Sequence, residues 1–136
     1  MFFRKLPLSK KSRFNDFVLE LRGRAENTTL SIPENLKDYV SDDDISLCIQ
    51  TLSRVEVLDL SDCVNLTGSF LETLQGHNHL KYISLSYLNK LQGKYLSHLS
   101  QRYQLKELNF LGNTAIRDKD LSLLEGNPNL STIAFS

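Results

Sequence analysis

Apolar residues recur along this chain with a period of 25 residues. Four copies of one pattern begin at Val55, Leu80, Leu105 and Leu130. In each copy, further apolar residues follow three and five positions later, and most of the residues between them are polar. This alternation predicts a short β-strand with one buried face in every copy.

The second half of each copy predicts a helix. Two columns of mostly apolar residues lie three positions apart, which places both columns on one helical face. The columns are Ser46, Leu71, Leu96 and Leu121, and then Ile49, Leu74, Leu99 and Leu124. Residue types that suit helix starts stand before them, at Asp43, Gly68, Gly93 and Asp118. One unit cannot bury its own apolar face, so the units are expected to stack.

The N-terminal part departs from the 25-residue period. An amphipathic helix is predicted over residues 12–22, and we expect it to cover the first end of the stack. A partial copy follows, in which Leu30, Ile32 and Asn35 occupy pattern positions. These residues lie 28 positions before their equivalents, and this offset predicts an insertion around residues 36–40.

The most complete copy covers residues 55–68, which read V-E-V-L-D-L-S-D-C-V-N-L-T-G. It is similar to the cysteine-containing subfamily of leucine-rich repeats, common in F-box proteins, which reads L-x-x-L-x-L-x-x-C-x-x-(I/L)-T-(D/G). The resemblance covers about residues 29–136. It implies an α/β fold, namely a short leucine-rich-repeat solenoid of strand-turn-helix units with a parallel sheet on its concave face.

The predicted organisation has two parts. Residues 1–25 form a basic N-terminal arm and capping helix. Residues 26–136 form the leucine-rich-repeat domain, with a degenerate first repeat, about three full repeats and a terminal strand. Residues 32–36 also resemble the start of an F-box motif, but the interval to Asp44 and Ile45 is several residues too short. The repeat interpretation is favoured for this segment.

One column of the pattern changes its chemistry between copies. Cys63 is followed at the same position by Leu88 and then by Asn113. A leucine cannot make the side-chain hydrogen bonds that a Cys or Asn makes to the loop backbone. The turn at Leu88 is therefore expected to be looser or differently hydrated than the other two.

The strand residues between the apolar ones should point to the concave face. This face carries the acids Asp59, Asp62 and Glu107 and no base, with Tyr82 and Tyr87 at its centre. Tyrosine is enriched in interface hot spots, and the acids favour a basic or mixed protein partner while repelling nucleic acid. The predicted partner-binding residues are Val57, Asp59, Asp62, Tyr82, Tyr87, Glu107, Asn109 and Leu111. The alternative is that they are ordinary exposed strand residues.

The zero net charge hides an asymmetry. Residues 1–25 carry seven basic and two acidic residues, and the remainder carries nine basic and fourteen acidic ones. The arm can contact a membrane or another acidic surface, act in organelle targeting, or fold back on its own domain. Two interpretations of function stay open: a protein-binding adaptor or assembly factor, and an accessory protein at a membrane surface or in an organelle. The family also includes secreted effectors of intracellular bacteria.

No catalytic grouping is found, and the prediction is a non-enzyme without cofactor or metal. His77 and His79 are interpreted as solvated loop residues, and residues 42–44 as acids at a helix start. Cys63 is predicted to be a buried structural thiol, and the two cysteines indicate a reducing, intracellular compartment, with the cytoplasm favoured. Leu121, Leu124 and the Leu130 row would form an open end, where we expect another subunit to dock, either a partner or a second copy of the chain. The alternative is a frayed edge.

Overall fold

The computed structural model describes residues 9–74, 77, 79–100, 104–125, 127, 129, 130 and the backbone of 132–134. Its centre is one parallel sheet of five strands arranged in chain order. The strands are β1 (Thr29–Ser31), β2 (Val57–Asp59), β3 (Tyr82–Ser84), β4 (Glu107–Asn109) and β5 (Thr132–Ala134). The predicted strands are confirmed, and the protein is a mixed α/β structure with a parallel sheet.

The register of the sheet follows the sequence period. Leu58 pairs with Ile83, Ile83 with Leu108, and Leu108 with Ile133. At the first pair the offset is larger, because Leu30 pairs with Leu58. The offset returns to 25 residues where Asp42 meets Thr67, which confirms the predicted insertion between these two points. The inserted chain contains a short 3₁₀ helix, Glu34–Leu36.

Helical segments connect the strands, and their type differs from the prediction. The regular helices are α1 (Lys10–Arg22), α2 (Asp42–Thr51) and the short α3 (Asp118–Leu121). Ser69–Leu74, Gly93–Leu99 and Ser122–Leu124 are 3₁₀ helices. A 3₁₀ helix has three residues per turn, so apolar residues three positions apart stand directly above one another. Leu96 and Leu99 are both fully buried as a result.

The first helical unit starts earlier than the sequence columns suggest. Ser41, and not Asp43, precedes α2, and its hydroxyl accepts a hydrogen bond from the Asp44 N–H (3.3 Å). The Asp44 carboxylate accepts one from the Ser41 N–H (2.9 Å). This reciprocal capping box satisfies two N–H groups that the first turn leaves without helical partners.

Helix α1 begins at Lys10, two residues before the predicted start. Its buried side chains are Phe14, Val18 and Leu21. The helix packs against α2 and against the inserted 3₁₀ segment, and the Phe14 ring lies 6.1 Å from the Tyr39 ring between centroids. Helix α1 therefore packs on the first helical unit of the chain, as expected for a helix that covers that unit.

Asp42 links the first unit to the second. Its carboxylate accepts hydrogen bonds from the N–H groups of Thr67 (2.9 Å), Gly68 (3.0 Å) and Phe70 (3.2 Å). These donors lie where the 3₁₀ helix of the next unit begins, so a carboxylate there offsets the positive end of that segment. The acids at residues 42–44 do begin a helix, as predicted, and one of them also caps the neighbouring unit.

The turn at Leu88 is not loose, and that prediction was wrong. The Leu88 N–H donates to the Asn113 side-chain oxygen (2.5 Å), and the Asn113 amide donates to the Leu85 carbonyl (2.6 Å). Leu88 itself is fully buried. The polar side chain that this turn lacks is supplied by the next unit, so its backbone groups are satisfied without a hydrogen-bonding residue at position 88.

Candidate functional site

The predicted partner-binding residues, named here the sheet-face strip, are Val57, Asp59, Asp62, Tyr82, Tyr87, Glu107, Asn109 and Leu111. Three of them form one row across the central strands, because Val57 pairs with Tyr82 and Tyr82 with Glu107. Adjacent strands lie about 4.8 Å apart, so these side chains are immediate neighbours. Glu107 is exposed, and Val57 and Tyr82 are half-buried.

A second row follows the ends of the strands and contains Asp62, Tyr87 and Gly112. The Asp62 N–H donates to the Ser86 carbonyl (2.9 Å), and the Tyr87 N–H donates to the Leu111 carbonyl (2.8 Å). All three residues of the row have left-handed backbones, with φ of 64°, 60° and 75°. This conformation costs a residue with a side chain about 1–2 kcal/mol, and an aromatic residue rarely adopts it.

The Tyr87 ring lies over Gly112. A Cβ added at Gly112 would overlap the Tyr87 ring atoms Cδ1 and Cε1. The glycine is therefore required twice, by its own positive φ and by the space that the ring occupies. Tyr87 is 47% exposed, which makes it one of the exposed large apolar side chains among the described residues. The sequence signal for this arrangement was Gly112, which stands 25 residues after Tyr87.

Two members of the strip serve the ends of their own strands. The Asp59 carboxylate accepts hydrogen bonds from the Ser61 N–H (3.1 Å) and hydroxyl (2.8 Å). The Asn109 side-chain oxygen accepts one from the Leu111 N–H (2.9 Å). These are local turn contacts of the kind that Asp and Asn side chains commonly make. The structure thus gives Asp59 and Asn109 a structural contact that the sequence pattern did not reveal.

Ser84 and Ser86 were expected to be available on the outer face of the sheet, but both are buried. Ser84 and Ser86 are 3% and 4% exposed. Their hydroxyl groups lie 3.1 Å apart, and the Ser84 hydroxyl lies 2.7 Å from that of Ser61. A short side chain on a central strand is covered by longer neighbours, so these hydroxyls form a buried line that is already hydrogen-bonded.

The charges beside the strip are largely paired. Lys81 lies 2.9 Å from Glu56, and this hydrogen bond lowers the pKa of the Glu56 carboxyl. Lys37 lies 3.3 Å from Glu34. Burial opposes protonation of Lys37, but the Glu34 hydrogen bond and the charges of Glu34 and Asp62 leave its pKa raised. Lys81 is thus paired with an acid outside the strip, whereas Lys37 is paired with Glu34 and also interacts electrostatically with Asp62 of the strip.

The buried thiols carry no reactive chemistry. Burial raises the pKa of the Cys63 thiol to about 12, and it does the same for Cys48. A thiol with so high a pKa is protonated at neutral pH and is a weak nucleophile. The prediction that Cys63 is buried is confirmed.

Three further observations concern the predictions on metal binding, membrane contact and the C-terminal units. Within the described part of the chain, His, Cys, Asp and Glu nowhere gather in groups of three or more that could hold a metal ion. None of the described helices is both long and apolar enough to cross a membrane. Leu124 is buried and Leu121 and Leu130 are half-buried, while residues 1–8, 135 and 136 lie outside the described residues.

Comparison with known proteins adds no assignment to this geometry. No protein-family model matches the chain, and no curated protein matches it. The arrangement of the strip is therefore the basis for the functional proposal.

Proposed function

We propose that this protein is a short leucine-rich-repeat solenoid of the cysteine-containing type, and that it binds a polypeptide partner. The binding surface is the sheet-face strip, and the role is that of an adaptor or assembly factor without a catalytic reaction. The observation that carries the proposal is Tyr87, which is held in a left-handed conformation with its ring over Gly112 and about half exposed.

The repeating register supports the solenoid part of the proposal. Strands β2 to β5 pair in chain order at a constant offset of one unit. Each unit also contributes a helical segment that packs on the next one. Stacked units of this kind present a broad sheet surface, which is the surface that repeat proteins commonly use for binding.

The conformation of Tyr87 supports the binding part. Strained backbones persist where the surrounding structure holds them, and they cluster at functional sites. A glycine at this position would avoid the strain, as Gly112 does one unit later. Tyrosine offers instead a large ring with a polar tip, which suits an interface. Tyr82 extends the same surface along β3.

Chemical cross-linking in cells of the source, followed by mass spectrometry, identifies the partner, and calorimetry with purified proteins then tests the face. We expect the Tyr82→Ala/Tyr87→Ala double variant to lose at least tenfold in affinity. Tyr87→Phe should bind normally, because it keeps the ring. Val64→Ala, on an exposed turn residue, is the matched control. Unchanged binding by the double variant would reject the proposal.

A second candidate is contact with a membrane surface through α1. Leu19 is 60% exposed and Leu47 is 41% exposed, and together with Arg22 they line a groove of about 250 Å³ between α1 and α2. An apolar surface beside a cationic side chain suits an anionic bilayer interface. Co-sedimentation with phosphatidylserine vesicles tests this candidate. Leu19→Ser with Arg22→Ser should abolish sedimentation, and phosphatidylcholine vesicles should not bind.

A further inference from the structure

We propose that the sheet-face strip selects an extended polypeptide with two basic side chains about five residues apart. One basic side chain of the ligand would pair with Asp62, next to Tyr87, and the other would pair with Glu107, next to Tyr82. This inference rests on the proposed function and adds the chemistry and spacing of the ligand.

The two exposed acids lie on a diagonal of the sheet. Glu107 is the C-terminal neighbour of Tyr82 in the first row, and the register of β3 and β4 places them side by side. Asp62 is the N-terminal neighbour of Tyr87 in the second row, and its N–H bonds to the Ser86 carbonyl. Each tyrosine therefore has an acid beside it, and the acids stand at opposite corners of the surface.

The diagonal sets the spacing of the ligand. Two strand intervals of about 4.8 Å separate the units of Asp62 and Glu107, and a run of five residues separates the two rows at about 3.3 Å per residue or less. The acids are thus about 15–19 Å apart. An extended peptide covers this distance in about five residues.

The polar groups between the two rows are not available to select a ligand. The polar groups of Asp59, Ser61, Ser84 and Asn109 are already hydrogen-bonded within the protein. A ligand that crosses this area finds groups that are already engaged. Selectivity therefore falls to the exposed tyrosine and the two acids at the rims.

Charge complementarity favours a cationic ligand. The strip itself contains no Lys or Arg. The adjacent Lys37 and Lys81 form their ion pairs with Glu34 and Glu56, although Lys37 also interacts electrostatically with Asp62. An arginine over a tyrosine ring gains a cation–π interaction in addition to the ion pair with the adjacent acid. Arginine also combines planar stacking with hydrogen bonding to a carboxylate.

The experiment uses the full chain and fluorescein-labelled Gly-Ser peptides. Each peptide carries two arginines, and the offset between them is varied from two to nine residues. Fluorescence anisotropy at low and at physiological salt gives the affinities. We expect the tightest binding at offsets of about four to six. Asp62→Asn and Glu107→Gln should each weaken the best peptide about threefold, as expected for exposed ion pairs.

The control is Glu72→Gln, which removes an exposed acid outside the strip with the same change in net charge. Asparagine tolerates a positive φ, so Asp62→Asn keeps the backbone of the second row. An affinity without an optimum in spacing, equal effects of Glu72→Gln and Glu107→Gln, or no binding of any peptide would overturn the inference. If one of these results is found and the Tyr82→Ala/Tyr87→Ala variant still loses binding to the native partner, the inference fails but the proposed function stands.

Discussion

The two faces of the central strands differ in how much their residues change from one unit to the next. The core-face residues in register are Leu58, Ile83 and Leu108, which are all aliphatic and essentially without exposure. The outer-face residues in register are Val57, Tyr82 and Glu107. Packing against neighbouring units constrains the core face, whereas on the outer face Val57 and Tyr82 are only half-buried and Glu107 is exposed. The chemistry particular to this protein is therefore concentrated on the outer face.

The largest expected loss of stability comes from a substitution on the core face. Ile83→Ala removes a fully buried side chain from the middle strand, and it should lower the free energy of unfolding by about 2–5 kcal/mol. Urea denaturation followed by circular dichroism measures this loss. Val57→Ala on the outer face should cost less than about 1 kcal/mol. Similar losses for the two variants would show that the faces are not constrained differently.

The next largest effect tests the contact between the Tyr87 ring and the Gly112 backbone on the outer face. Gly112→Ala places a Cβ in the space of the Tyr87 ring at a positive φ, and it should cost about 1–3 kcal/mol. Gly112→Ala should also weaken binding of the partner, because the Tyr87 ring must move. The double variant Gly112→Ala/Tyr87→Ala removes the overlap and should regain part of the lost stability. Purely additive losses in denaturation would contradict the contact.

A third effect tests the link between neighbouring turns. Asn113→Ala leaves the Leu88 N–H and the Leu85 carbonyl without the side chain that now binds them, at a cost of about 1–2 kcal/mol. Thermal unfolding measures it. Asn113→Asp keeps the acceptor for Leu88 but sets a carboxylate oxygen against the Leu85 carbonyl oxygen, so it should also unfold at a lower temperature than the unmodified protein. If Asn113→Ala unfolds at the temperature of the unmodified protein, the link carries no stability.

A smaller effect on stability separates folding from binding. Tyr87→Asn keeps a residue type that tolerates the left-handed conformation, so the free energy of unfolding should change by less than about 1 kcal/mol. Binding of the partner should nevertheless be lost with the ring. Denaturation and calorimetry on the same sample measure both quantities. A stable variant that still binds would place the interface elsewhere.

The smallest effect concerns pH. The Lys81 hydrogen bond holds the pKa of Glu56 below its usual value, so its contribution to stability is present above the unfolded pKa of about 4.3 and is lost as pH falls through the lower folded value. Stability should therefore decline as the pH falls below about 5. In Glu56→Gln this decline should be shallower. An identical pH profile for the two proteins would show that the pair contributes nothing.

Some of the site was predictable from the sequence, and some was not. The positions of Tyr82 and Glu107 on one row followed from strand alternation and a constant period. The use of Asp59 and Asn109 in turns did not follow, because the repeat pattern marks both residues only as outward-facing strand positions. The buried state of Ser84 also escaped prediction, since it depends on the size of the side chains around it.

The turn at Leu88 also depends on a contact between units that the sequence pattern does not reveal. The sequence predicts a looser or differently hydrated turn at Leu88, because this copy has no hydrogen-bonding side chain in that column. The turn is held by Asn113 from the next unit. A hydrogen bond between residues 25 positions apart is visible only when the units are stacked. The 3₁₀ geometry of Gly93–Leu99 could not be predicted either, because apolar residues three positions apart fit both an α-helix and a 3₁₀ helix.

The periodic residue types predicted the strands, their order and the place of the insertion, because equivalent buried positions in successive units are apolar at a constant spacing. Only the tertiary structure decided that Asp62, Tyr87 and Gly112 share a left-handed row and that the Tyr87 ring occupies the space over Gly112. The physical reason is that backbone sign and ring position depend on contacts between neighbouring units. Those contacts form only when the units are packed together.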